Sequence, residues 1–555
     1  MEVGVRLTRF AAVTVLLTTA ATGICTGVVN ADPAVSNARN VEATDYEPTG
    51  QVIADSGLRP RPDGFSFENY ATSGNPVNLT LQSMYQIFGN TVCGYASGGT
   101  CTLSPQAQRW MTKQNRDMAG GHCYGMSATS LLMYRKRLLP SDFQKGANTT
   151  WDLRFENPSL QEMIARQMVG QFLKPVTDGK KYGSPNQIIN YLANSLKPGA
   201  TESYTLMFAK RNLTAGHAIT PFALEDRGVV DGDRMIAIMV YDNNYRGEIR
   251  QMVVNTAKNS WTYETASDPT RPSAPYEGDA TTGTLQLAPL SPAQGQQQFP
   301  YAGRYVRGVN AAPAGAAPVT VSLQGDLINH GNLMLTDDQG RSTGFSGDKR
   351  VNDIPGAEFV DTMADDSAYR IAPDIQVPAG THMTITVDGA GLEKADPTEV
   401  TIINSASEIA VSGINLGPQS KSTIDVSADG TSVTYASTDE QAPTIEIGED
   451  YETDGYTFIA KDAAVGAGGS ITVSLPANDE IYTVDASKSG KTESVDIEMR
   501  RDGKNGEQKL THDGLAMAAG GTATFDYEKW DKDDTAVQVT ISENGTTRNE
   551  ELTPR

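Results

Sequence analysis

Histidine and cysteine are scarce in this chain: 555 residues hold five of the first and four of the second. That scarcity removes several chemistries at once. No H-x-x-x-H or C-x-x-C pair occurs, so a zinc site has no ligand set to build from. No P-loop or dinucleotide fingerprint is found. The acidic turns in "VDGDR" and "VSADGTS" lack a full series of calcium ligands. Neither metal nor cofactor is therefore expected. Positive charge is also short, with 45 Lys and Arg against 67 Asp and Glu and a formal charge of −22. The deficit is uneven: residues 311–555 carry 42 acidic and 17 basic side chains, a net of −25, which leaves +3 for the first 310. An acidic half repels phosphates, so no nucleic-acid partner is expected. Beyond the N-terminus no run is apolar enough to predict a transmembrane span.

The N-terminus is the exception. "MEVGVRLTRF" supplies Arg6 and Arg9, "AAVTVLLTTAATGICTGVV" is an apolar run, and Val29 and Ala31 stand at small-residue positions. This is the layout of a secretory signal peptide, residues 1–31, cut after Ala31, and it predicts a secreted, extracellular or surface-associated protein. Cys25 leaves with it. Cys93 and Cys101 flank "CGYASGGTC", and an oxidising destination favours a disulfide between them. Cys123 is then the odd thiol: intermolecular, buried and inert, or reactive.

Residues 32–75 are polar, rich in Pro, Gly and Asp, and predict a flexible linker. From 76 to 200 the signals are helical. "LTLQSMYQIFGN" has helical apolar spacing with a Gly-Asn stop, and "CYGMSATSLLMYRKRLL" sets Met126, Leu131, Leu132 and Leu138 around one broad face. "NPSLQEMIARQMVGQFLKPV" and "SPNQIINYLANSLKPG" each begin with an N-cap residue and Pro, Asn157–Pro158 and Ser184–Pro185. After 200 the pattern turns to short β runs: "ESYTLMFAK", "GHAITPFALED", "RMIAIMVYD", "EIRQMVVN", "NSWTYE" and "GTLQLAPL". Helices followed by an antiparallel sheet predict an α+β domain over 76–300. A joint at 301–312 leads to an acidic β region, 313–555, with strands and turns at regular intervals, read as one or two β-sandwich modules.

A thiol hydrolase needs a nucleophile, an imidazole that takes and returns its proton, and a group that orients the imidazole. Cys123 opens a predicted helix, where free backbone N–H groups and the dipole lower a thiol's pKa. The preceding "AGG" admits close backbone approach, and the Cys123 N–H can serve an oxyanion hole. His122 adjoins the thiol in sequence and should point away from it. His330, His382 and His512 lie in the acidic half, which leaves His217, in "AGHAITPFALED". A hairpin centred near residue 230 sets His217 across from Asp242 or Asn243, depending on register. Asp242 is the first choice, because a carboxylate stabilises an imidazolium better than an amide does, and Asn243 is the second.

Cysteine at a helix start, "GHA" on a strand and Asp or Asn at the end of the next strand resembles the papain-like cysteine peptidase superfamily over about residues 76–300. The resemblance implies Cys123 as nucleophile, His217 as general base and acid, and Asp242 as orienter. It also implies a glutamine donor to the oxyanion, for which Gln114 is the candidate, with Asn115 beside it. "KNSWTYE" matches the Asn-Ser-Trp of that family and offers Asn259 as a further orienter, although it lies two strands beyond His217. The expected function is an exported cysteine peptidase acting on a peptide or protein substrate, its β region contacting a cell-surface component. A cell-wall amidase or an acyltransferase would use the same triad. The rival class is a non-enzymatic surface or binding protein that keeps a degenerate papain-like domain.

Overall fold

The computed structural model describes residues 45–552 apart from 73, 98–99, 212, 214, 265–274, 303–315, 348, 364–370, 452–453, 477–479, 504–505, 519 and 531–535. The expected signal peptide, residues 32–44 of the expected linker and most of the 301–312 joint lie outside the described residues. What is described is α+β with a large β-rich region.

Five helices of eight or more residues pack around one sheet: α1 (Leu81–Phe88), α2 (Pro105–Asp117), α3 (Cys123–Tyr134), α4 (Pro158–Met168) and α5 (Pro185–Ser195). The N-cap grammar is realised locally. The Asn157 side chain accepts from Leu160 N–H at 3.1 Å, and Ser184 forms a capping box with Gln187. Helix α2 starts the same way, with Ser104 accepting from Ala107 N–H ahead of Pro105. Helix α3 departs from the one-faced reading: every residue from Cys123 to Met133 is buried. Such a helix lies in the interior: its Ser127, Thr129 and Ser130 hydroxyls each donate to a backbone carbonyl, and Gly125 makes the close packing possible, since a Cβ there would lie 2.2 Å from the Ile164 carbonyl oxygen of α4.

The strands of this part are β1 (Gln51–Asp55), β2 (Cys93–Ser97), β3 (Thr100–Leu103), β4 (Lys181–Tyr182), β5 (Tyr204–Ala209), β6 (Gly216–Val230), β7 (Asp233–Tyr241), β8 (Ile249–Asn255), β9 (Ser260–Tyr263), β10 (Tyr276–Asp279) and β11 (Leu285–Pro289). The main sheet runs β10-β9-β8-β7-β6-β5-β11-β4, and β1 adds to β6. β2 and β3 form a separate hairpin, closed by the disulfide between Cys93 and Cys101.

Strand β1 lies within the expected flexible linker and corrects that reading for its own residues, which pair with β6. Its register is held by Glu225, which is fully buried on β6. The Tyr46 hydroxyl donates to Glu225 Oε1 at 2.7 Å, and the N–H groups of Thr49 and Gly50 donate to Oε2 at 3.0 and 2.9 Å. A segment held by polar bonds to one buried carboxylate carries no hydrophobic period, so composition alone reads it as loose.

The acidic half forms two large antiparallel sheets, nine and eleven strands among the described residues, whose inward side chains share one core from Val319 to Leu552. Alternation is plain in Met383–Asp388, where Met383, Ile385 and Val387 are buried. Helix α2 docks on this sandwich through charge. Arg109 meets Glu408 at 2.8 Å and Glu446 at 2.5 Å, and Lys113, itself buried, meets Asp117 at 2.6 Å and Asp374 at 2.5 Å.

Candidate active site

The hairpin of β6 and β7 positions the imidazole, though its register differs from the simple expectation. Paired numbers sum to 461 at Thr220 and Tyr241 and reach 462 past a bulge near Pro221. Extended along the strand, the pairing that sums to 461 sets His217 opposite Asn244. Asp242 is then its diagonal neighbour on the same face, within reach of a side-chain bond. Parity, not direct opposition, decides between Asp242 and Asn243.

His217 Nε2 lies 2.9 Å from Asp242 Oδ1, both residues fully buried. An ionised carboxylate only accepts, so Nε2 carries a proton, and Nδ1 is the nitrogen left to accept another. Asp242 is itself held on both oxygens: Asn244 N–H donates to Oδ1 at 2.9 Å, and the Tyr263 hydroxyl donates to Oδ2. Burial pushes the Asp242 carboxyl up. The charge of His217 and the bonds from His217, Tyr263 and Asn244 outweigh it and leave the carboxyl below its ordinary value. The ring stands edge-on to Phe208, 5.6 Å between centroids, within a cluster that includes Trp261, Tyr263 and Tyr276.

Asn243 faces the other way and does different work. Its Nδ2 donates to the carbonyls of Cys123 and Ala218, both at 3.0 Å, and contacts Ser127 Oγ at 3.1 Å. Ser127 donates to the same Ala218 carbonyl at 3.1 Å. The start of α3 is thereby stitched to β6 one residue beyond His217. Asn69 adds a second stitch: its side chain accepts from His122 N–H at 2.8 Å, and its N–H donates to Asn243 O at 2.8 Å.

Cys123 is fully buried, and its thiol donates to the Met363 carbonyl at 3.4 Å. It belongs to the cluster containing Met207 and Ala218, the face of the sheet that α3 covers. Phe208 and His217, paired one step along, alternate to the opposite face. At the start of β6 Gly216 carries no side chain, and a Cβ there would lie 2.4 Å from the Met363 sulfur.

His122 is a structural residue. Its Nδ1 is 2.7 Å from Tyr70 O and its Nε2 2.9 Å from Asn78 Oδ1, with the ring stacked on Tyr70 at 4.2 Å. Burial lowers it to about 4, so it stays neutral near pH 7. Gln114 lies buried in the last turn of α2, and Asn115 bonds both backbone groups of Leu79. Asn259 sits in the β8–β9 turn and accepts from Asn186 N–H at 3.0 Å, at the first turn of α5. Trp261 packs on Phe208. Of the acidic-half histidines, His382 lies between Asp338 and Asp425, and His512 lies 3.5 Å from Glu550.

Tyr263, Ser127, Asn69 and Gln171 complete the surroundings, and none was singled out from sequence. Tyr263 had a signal, since the "NSWTYE" run carries it on a strand two removed from β7. Among the described residues no group of His, Cys, Asp and Glu is arranged to hold a metal ion, and no helix is long and apolar enough to cross a membrane. Comparison with protein-family models, with curated proteins and with solved structures finds no match to this chain.

Proposed function

We propose that the chain is an exported cysteine hydrolase of papain-like type, most simply a peptidase, using Cys123, His217 and Asp242. The observation that carries this reading is the buried His217–Asp242 pair, fixed through both carboxylate oxygens, at the strand end against which Asn243 secures the Cys123 helix. A carboxylate held in this way fixes tautomer and orientation and stabilises an imidazolium.

This mechanism requires the Cys123 thiol, on the α3 face of the sheet, to pass its proton to His217 Nδ1 on the other face, with Nε2–H held by Asp242. The thiolate attacks the carbonyl carbon of a peptide bond, forming the C–S bond. The oxyanion is met by the N–H of Cys123 in the first turn of α3, the end of a helix where backbone donors and the dipole favour negative charge. His217 returns its proton to the departing amine as the C–N bond breaks. Water, deprotonated by the same ring, then releases the acid from the thioester.

A second reading is favoured by the burial of the thiol: a degenerate domain that supports a working β-sandwich. Incubation of the full chain with a defined peptide mixture, read by mass spectrometry, separates the two. Cleavage that is lost in Cys123→Ala and His217→Ala supports the hydrolase, whereas equal product from wild type and Cys123→Ala ends it.

A further inference from the structure

The cover over Cys123 comes from the β-sandwich. Strand Glu358–Val360 is followed by Asp361, Thr362 and Met363, and Met363 is 2 % exposed. A connecting segment normally runs over the surface, because its backbone groups need water or other partners. Here both backbone groups of Met363 are taken by the α+β domain. Its N–H donates to Gln171 Oε1 at 2.9 Å, and its carbonyl accepts from the Cys123 thiol at 3.4 Å. Its side chain runs against Gly216, where a Cβ would lie 2.4 Å from the Met363 sulfur. The segment is tethered just before this by the Asp361–Arg350 ion pair, and Arg350 also reaches the Leu213 carbonyl at 3.4 Å.

A segment held through its main chain, with one side chain in a fitted recess, is how peptides are bound in clefts. We infer that Asp361–Met363 is a built-in occupant of the cleft at Cys123, so that the chain folds in a closed state and releases its thiol when this segment withdraws. Gly216 and the methionine define the recess: it takes an unbranched apolar side chain, and a peptide substrate that displaces the segment presents one. The occlusion stands on the contacts alone, whereas its consequence for catalysis rests on the hydrolase reading.

The test is the rate of Cys123 alkylation by iodoacetamide in the full chain at pH 8, with the label located by peptide mass. Wild type is compared with Gln171→Ala, Met363→Ala, Gly216→Ala and Asp361→Ala. The first two remove grips on the segment, the third pushes the sulfur out from the opposite wall, and the fourth cuts the tether. Near-UV circular dichroism restricts the comparison to natively packed variants, and Asp361→Ala, which leaves the cleft walls untouched, keeps the test open if the others unfold. Slow labelling of wild type and at least about tenfold faster labelling of the variants is expected from easier local opening. Fast labelling of wild type, or variants within about twofold of it, overturns the inference. Faster labelling with no peptide cleavage in any variant upholds the occlusion and removes the hydrolase reading. Cleavage by wild type as fast as by the variants does the reverse.

Discussion

Replacing Asp242 with alanine should be among the most costly single changes in the α+β domain, and its cost can be worked from the contacts. Three donors converge on this carboxylate: His217 Nε2, Asn244 N–H and the Tyr263 hydroxyl. All three residues are at most 5 % exposed, so water does not readily replace the acceptor. A buried donor left without an acceptor costs about 1–3 kcal/mol. Rotation of the Tyr263 hydroxyl and local relaxation recover part of three such penalties, which leaves a loss of about 3–5 kcal/mol. That is a large share of the roughly 5–15 kcal/mol that holds a domain folded. Urea unfolding followed by tryptophan fluorescence measures it, because Trp261 lies in the cluster around Phe208 that also holds the imidazole. Tyr263→Phe, which removes one donor and leaves the carboxylate, should cost less, about 1–2 kcal/mol. The pH dependence follows from the direction of the shift. The Asp242 carboxyl lies below its ordinary value of 3.8 in the fold. Its contribution is therefore complete above that value and is lost as pH falls through the folded one. The gap between wild type and Asp242→Ala should stay constant from pH 6 to 8 and narrow in acid. A cost under about 1 kcal/mol, below what one orphaned buried donor requires, would refute the geometry on which the site is built.

Glu408 is pushed up to about 8, first by burial and then by Glu446, with Arg109 opposing. The folded chain thus holds a proton there more tightly than the unfolded chain, whose reference is 4.5. Stability should fall as pH rises from about 4.5 towards 8, and Glu408→Gln should flatten that part of a series of thermal melts. Asn243→Ala removes one group that serves the Cys123 and Ala218 carbonyls and Ser127. It should cost about 2–3 kcal/mol in urea unfolding, and Asn243→Asp should fail to restore the loss because a carboxylate cannot donate. Opening the Cys93–Cys101 bridge with a double serine variant removes a short closed loop, sequence separation 8, and should lower stability by about 2–3 kcal/mol by chain entropy. An unchanged urea midpoint would show that the hairpin's docking, not the bridge, holds it.

The sequence carried the order of elements better than their surroundings. The Asn157–Pro158 and Ser184–Pro185 starts were legible because capping is a local matter, decided within one turn. Ser104–Pro105 uses the same grammar for α2, and it passes unremarked in sequence because its helix is dominated by polar residues. Those polar residues are the ones that dock the sandwich, and no local pattern announces partners some three hundred positions away. The pairing of His217 with Asp242 was accessible because side-chain parity along a strand survives a register error of two residues. The role of Asn243 was not, because it depends on which helix covers the other face. Met363 lies farthest from any sequence signal. Nothing in "DTMADDSA" marks a methionine that will sit on a thiol 240 positions earlier.

The measurement closest to the central claim is the pH profile of Cys123 alkylation in the tether-cut Asp361→Ala chain, with and without His217→Ala. Rapid reaction below pH 7 that disappears when His217 is removed is expected, the behaviour of a thiolate paired with an imidazolium. Slow reaction in both chains, rising only above about pH 8 as for an ordinary thiol, would contradict it.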